Sequence, residues 1–291
     1  MKRGSPGFTL MELVITAGVA VVILTGLYLL LERNLNLYDR GEAKADVQQG
    51  VRVVLDEMAA TLRSAGNGVP RGTTPGNPEA IYVYYNGITV GGEPLVTSGS
   101  AVTFLGDLDG TAAELTAAVS TGGTSVSIAP ATRDYSVSLT GGANTVVVGT
   151  QGRWAFGQYT GPAGNQTSLP VVALRTPSGA AATFSAGSGV AALEMVKYSL
   201  QGTNLVRRIG IYGGQTTSNN PTLTWGTAET LLDSVMGLTF TYYDANNAVV
   251  ASLGTPGDQG TIRRIRITVQ AHAGKGVADY TYSVDVRPRS L

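Results

Sequence analysis

The sequence predicts an α+β fold in which one long N-terminal helix lies on an antiparallel β-sheet. Three features of the 291-residue chain carry that reading. Residues 13–31 contain no charged side chain. Beyond them the sequence turns polar, yet apolar residues recur at spacings of three and four as far as Leu62. In the last third, apolar and polar residues alternate with a period of two in several short stretches.

The uncharged run comes first. Nineteen residues at ~1.5 Å rise each span about 28 Å, close to the hydrocarbon thickness of a bilayer. Lys2 and Arg3 precede it, so the positive-inside rule leaves the N-terminus in the cytoplasm and puts the rest of the chain across the membrane. Glu12 opens the run. A carboxylate inside a bilayer-length helix costs about 2.5–3.5 kcal/mol, and a plain anchor would carry leucine there. Gly18 and Gly26 are eight residues apart on nearly one face, where they permit close helix approach.

Residues 32–66 continue the helix as an amphipathic segment. Leu35, Tyr38, Val47, Val51, Val54, Leu55, Met58 and Leu62 form one apolar stripe, while Arg52, Asp56, Glu57 and Arg63 face away. Gly41 and Gly50 each weaken the helix by about 1 kcal/mol relative to alanine and allow a bend. Gly66, after Ser64 and Ala65, is a C-cap, and Pro70 prevents continuation. The result is one helix from Phe8 to about Ala65.

Residues 191–291 read as the sheet. Val196, Tyr198 and Leu200 alternate with Lys197 and Ser199, and a turn at residues 201–204 leads to a second strand at Leu205–Ile209. Leu238, Phe240 and Tyr242 alternate with polar neighbours, as do Ile265, Ile267 and Val269, and then Tyr280, Tyr282, Val284 and Val286. Such stretches make an antiparallel sheet with one buried face, and the helix stripe is its natural lid. Residues 67–190 are rich in Gly, Ser and Thr. Short apolar stretches at Ile81–Tyr85, Val102–Leu105, Thr145–Val148 and Pro170–Leu174 mark it as a β-rich insertion, possible ground for a second lobe.

Composition narrows the function classes. There is no cysteine, hence no disulfide and no thiolate metal site. The formal net charge of zero argues against a nucleic-acid partner. The single histidine, His272, sits among small residues near a turn and reads as surface, so no Ser-His-Asp or Cys-His constellation forms and no enzyme or cofactor is expected. Asp107, Asp109 and Glu114 offer hard oxygen ligands at calcium-loop-like positions, but the twelve-residue pattern is incomplete, and no metal site is predicted. Arg263, Arg264 and Arg266, with Arg207 and Arg208, read as a solvated sheet face, the alternative being a basic patch.

One string carries a family resemblance. Residues 7–12 read Gly-Phe-Thr-Leu-Met-Glu, and the seven residues ending in Gly7 are too short and too polar for a secretory signal peptide. This resembles the type IV prepilin signature. The resemblance implies a leader over residues 1–7 and a membrane/filament-core segment over 8–31. It implies cleavage after Gly7 by a prepilin peptidase, which also methylates the new N-terminus at Phe8, and a role in assembly for Glu12 as the fifth mature residue. In physical terms, the Phe8 amine and the Glu12 carboxylate would then be the only charges in residues 8–31, each an obvious partner for the other, within one helix or between staggered ones.

Residues 62–67, 196–208, 232–243 and 265–267 are similar to the minor-pilin PilW and type II secretion pseudopilin J group, whereas the ending at Val286-Arg287-Pro288-Arg289 departs from it. Major pilins usually carry a proline in the membrane segment, and none stands between Phe8 and Pro70. The expected function is therefore a structural minor pilin that initiates, caps or assembles a type IV pilus. It would be held as a single-pass protein in the bacterial inner membrane, with its C-terminal domain outside the cytoplasm, and its partners would be other pilin subunits. The alternatives are a pseudopilin of the J type and a membrane-anchored adhesin or sugar-binding protein that does not polymerise.

Overall fold

The computed structural model describes residues 9–67, 89–90, 93–94, 99–108, 113–129, 145–150, 153–161, 167–176, 180–213, 222–251, 261–274 and 279–288. Helix α1 spans Leu10–Arg63, 54 residues in one element. It closes with tightened turns: the Ser64 amide donates to the Thr61 carbonyl at 3.0 Å and the Ala65 amide to Leu62 at 3.1 Å. Gly66 follows at φ 79°, a left-handed conformation that costs little without a Cβ, and reverses the chain. Asn67 then accepts the Asp107 amide at 2.8 Å and donates its own Nδ2 to the Asp107 carbonyl at 3.1 Å. This fastens the helix end to the sheet.

The strands are β1 (Thr89–Val90), β2 (Glu93–Pro94), β3 (Ala101–Gly106), β4 (Ala113–Glu114), β5 (Val119–Ser120), β6 (Ser125–Ser127), β7 (Thr145–Thr150), β8 (Arg153–Gln158), β9 (Ser168–Pro170) and β10 (Thr183–Phe184). Then come β11 (Gly189–Gln201), β12 (Asn204–Gly213), β13 (Thr222–Trp225), β14 (Glu229–Leu232), β15 (Val235–Tyr243), β16 (Arg264–Ala271) and β17 (Tyr280–Val286). Among the described residues, eight strands form one sheet around β11, and β15-β16-β17 form a separate three-stranded sheet. The ribbons β1-β2, β5-β10 and β6-β9 complete the set, and the pairings are antiparallel.

Two cores result. In the first, Val51, Val54, Leu55, Met58 and Leu62 of α1 meet Val102 and Phe104 of β3, Val196 and Tyr198 of β11, and the inward residues of β15 and β16. The Phe104 and Tyr198 rings stack there with centroids 6.2 Å apart. The second core gathers Leu115, Val126, Val146, Val148, Leu169, Leu174 and Phe184. Strand β11 belongs to both. Val190 and Ala192 lie in the second core and Val196 and Tyr198 in the first. Its first half pairs with β4 and β7, and its second half with β3 and β12.

The long helix, the antiparallel strands and the period-two burial of Ile265, Ile267 and Val269 are all present. Four points differ from the sequence reading. The C-terminal strands divide between two sheets, and the chain passes from one to the other after β14 through Ser234, which takes a left-handed φ of 56°. The stretch Val102–Leu105 lies in β3 and pairs with β11, so it builds the first core and not the second. Leu35 and Tyr38 are 56% and 70% exposed, and the buried stripe begins only at Val51. Periodicity identifies a face of a helix, whereas the sheets decide how far along it that face is covered. Glu57 does not simply face away: Arg207 of β12 donates Nη1 to Glu57 Oε1 at 2.6 Å, and its Nε and Nη2 to Glu229 Oε2 at 3.0 and 2.7 Å. Partial burial would lower the Arg207 guanidinium, but the hydrogen bond and charge of Glu229 more than offset this and hold it above its ordinary range. The stretch Ile81–Tyr85 lies outside the described residues.

Candidate functional site: the uncovered helix and Glu12

The most conspicuous surface is the first half of α1. Exposure runs from 83% at Leu10 to 58% at Leu31, and no residue of the apolar window is buried. These 22 residues rise about 33 Å at ~1.5 Å each, long and apolar enough to cross a membrane. Contiguous apolar surface of this extent does not rest in water, and lipid or other helices must cover it. Its two threonine hydroxyls already fit an apolar setting. Thr16 Oγ1 donates to the Glu12 and Leu13 carbonyls at 2.8 and 3.0 Å, and Thr25 Oγ1 to the Val21 carbonyl at 2.8 Å. Each hydroxyl is thereby satisfied inside its own helix. A Cβ on Gly18 or Gly26 would meet no atom within 4 Å, so both glycines stand open to an incoming helix.

Glu12 occupies the third position of this helix, and Thr9 is the N-cap with extended backbone. The Glu12 amide donates to Thr9 Oγ1 at 3.3 Å, and Thr9 Oγ1 stands 3.5 Å from Glu12 Oε2. The spacing Thr-x-x-Glu is a capping-box signal, visible in the sequence itself, that reading Glu12 only as a misplaced charge leaves out. A carboxylate there meets the positive end of the helix dipole, worth about 0.3–1 kcal/mol. Gly7 and Phe8 lie outside the described residues.

The remaining candidates do not converge. Asp107 is 1% exposed and follows β3, whose last residue, Gly106, pairs with Glu194. Glu114 is exposed and pairs with Gly189. Along β11 these positions are about four rungs apart, roughly 13 Å, too far to share an ion. Asp109 lies outside the described residues, among which no group of three acidic or histidine side chains is placed to hold a metal. The sequence reading missed Glu194, 3% exposed, whose Oε2 accepts the Leu108 amide at 2.9 Å. An acidic residue in a strand otherwise buried on both faces was the available signal.

The arginines stand on different sheets and are answered locally. Asp285 accepts Arg264 Nη1 at 2.7 Å and Arg266 Nε at 2.8 Å, while Arg264 lies 3.8 Å over the Tyr243 ring. The hydrogen bond from Arg266, joined by that from Arg264, pulls the Asp285 carboxyl down to about 2. His272 Nδ1 lies 2.6 Å from Asp279 Oδ1, and both side chains are partly exposed. Compared with known proteins, the chain matches no protein-family model and no curated sequence.

Proposed function

We propose that this chain is a minor-pilin-like structural subunit, held in a membrane by residues 10–31 and drawn by that same segment into the core of a filament. The observation that carries the reading is the division of labour along α1: its last turns are buried in the folded body, and everything before residue 43 is uncovered. A helix used only as an anchor has no reason to project a further turn or more of exposed residues such as Leu35, Leu37 and Tyr38. In a membrane, Glu12 stays near the interface, where its charge costs least. In a dry bundle of helices it requires a cation, and the amine released at Phe8 by removal of residues 1–7 is the cation the prepilin resemblance supplies.

The test compares Glu12→Leu and Glu12→Gln with the unaltered chain for membrane level and for recovery in sheared filaments. Glu12→Leu removes a charge that opposes insertion, so membrane levels hold while filament recovery collapses. Glu12→Gln keeps a hydrogen bond without the charge and falls between. Undiminished recovery of the leucine variant, or absence of the unaltered chain from filaments, would leave an anchored, non-polymerising protein as the better account.

A further inference from the structure

Between the apolar run and the first buried turn, residues 32–46 of α1 carry seven charged side chains, all exposed. At about 100° per residue they sort into two edges. Arg33, Arg40 and Lys44 fall within ~40° of one another around the axis. Glu32, Asp39, Glu42 and Asp46 fall within ~80°, and the two groups are centred about 140° apart.

Inside a single helix this sorting is unfavourable. Arg40 and Lys44 are four residues apart, as are Glu42 and Asp46, and Asp39 and Glu42 are three apart. Like charges at those spacings destabilise a helix, and no pair of opposite charges in the segment has either spacing. The body hardly answers them: among the described residues its contact is Lys44 Nζ, 5.5 Å from the Tyr280 ring centre. A merely solvated helix gains by interleaving signs, so the separation points to charges supplied from outside.

We propose that residues 32–46 form a self-association surface for a second copy of this chain, the acidic edge of one helix lying against the basic edge of the next. The inference rests on the filament reading, under which neighbouring copies enter the membrane in the same direction and stand parallel. With the edges centred about 140° apart, each faces its own neighbour, so the contact is heterologous and does not stop at a dimer. An isologous parallel pair packed between the edges would also join unlike edges but would close at two chains, so a product that stops at the dimer would overturn this geometry. The two charge devices then divide the work: Glu12 acts on the axial position of a subunit, and this segment on its rotation about the helix axis, which the apolar run leaves unspecified.

The chain has no cysteine, so introduced ones report without background. Leu37→Cys lies beside the basic edge and Leu35→Cys beside the acidic edge, and two residues apart they face different sides and do not pair within one helix. In membranes carrying the full-length chain, the double variant should give an oxidative ladder of dimers, trimers and larger species, and each single variant little. Arg33→Glu with Arg40→Glu and Lys44→Glu should cut the ladder at least about tenfold, since several exposed pairs are lost together. Exchanging the sign of all seven charges should restore it. Protease resistance of the body, which among the described residues these charges meet only where Lys44 lies over the Tyr280 ring, serves as the folding control. An undiminished ladder in the triple variant, single-cysteine dimers as abundant as those of the double variant, or cross-links only to a different protein would overturn the proposal. A ladder in membranes with no chain in sheared filaments would instead sink the filament reading alone, and chain in filaments with no ladder would sink this interface alone.

Discussion

Leu62→Ala tests the joint between helix and body. Leu62 is fully buried in the last turn of α1, in the core with Phe104 and Tyr198. The substitution removes about three methyl(ene) groups at ~0.8 kcal/mol each, roughly 2.4 kcal/mol of transfer free energy. A residual cavity of about 50 Å³ at ~24 cal/mol per Å³ adds ~1.2 kcal/mol, because the sheets on either side do not collapse into it. The expected loss is therefore about 3.5 kcal/mol, inside the ~2–5 kcal/mol span for such changes. The assay is urea unfolding of a chain beginning at Glu32, since the residues before it are exposed and their removal uncovers no core. The midpoint should fall by about 1 M or more with an unchanged slope. Asp56→Ala is the control: Asp56 is exposed, and the effect should stay below about 0.5 kcal/mol. Equal losses from the two variants would mean that the helix end does not pack on the sheets, and the account of the first core would fail.

Three further outcomes follow from particular contacts. Gly106→Ala would bring a Cβ to 2.5 Å from the Ser64 carbonyl oxygen, so the helix end must shift from β3 at a cost of about 1–3 kcal/mol, read by thermal unfolding. Gly18→Ala meets nothing and should leave unfolding unchanged. Arg207→Ala should cost about 1 kcal/mol through its partly exposed carboxylate partners, and a double-mutant cycle with Glu57→Ala should give a favourable coupling; additive effects would show that the bridge contributes nothing. Asp285 has a folded-state pKa below its unfolded value, so its stabilising effect is full above about pH 4 and is lost as pH falls towards 2. Asp285→Asn should flatten the acid side of the stability profile in that window, and a profile of unchanged slope would refute the assignment.

The helix was legible because its signals are local: an uncharged run, a three-and-four spacing and a glycine at the stop. The strands at Ile265 and Tyr282 were legible for the same reason, since one face is wet and the period of two survives. What escaped was set by distant partners. Glu57 looks like any exposed helix acid until Arg207, 150 residues away in sequence, arrives beside it. The first half of β11, residues 190–195, is buried on both faces, and a stretch without a wet side has no alternation to read, unlike the half at residues 196–200. The split into two sheets falls at a left-handed residue, Ser234, with no glycine there to announce it. At the candidate site the Thr9–Glu12 spacing was readable, whereas the remoteness of Asp107 from Glu114 was a matter of register and was not.

Strand β11 also determines how the molecule would bear a mechanical load. Within the second core its residues pair with β7 and β4; past Leu193 the same backbone enters the first core, flanked by β3 over six paired positions and by β12 over seven. Tension applied to the second core and directed along that strand meets those rungs side by side, in shear, so they must fail together and not one at a time as in an unzipping hairpin. From β3 the force passes through the clasp of Asn67 and Asp107 to the end of α1, and so to whatever holds the helix. The described residues therefore contain a continuous tether from the second core to the end of α1, with each link made of hydrogen bonds loaded in parallel.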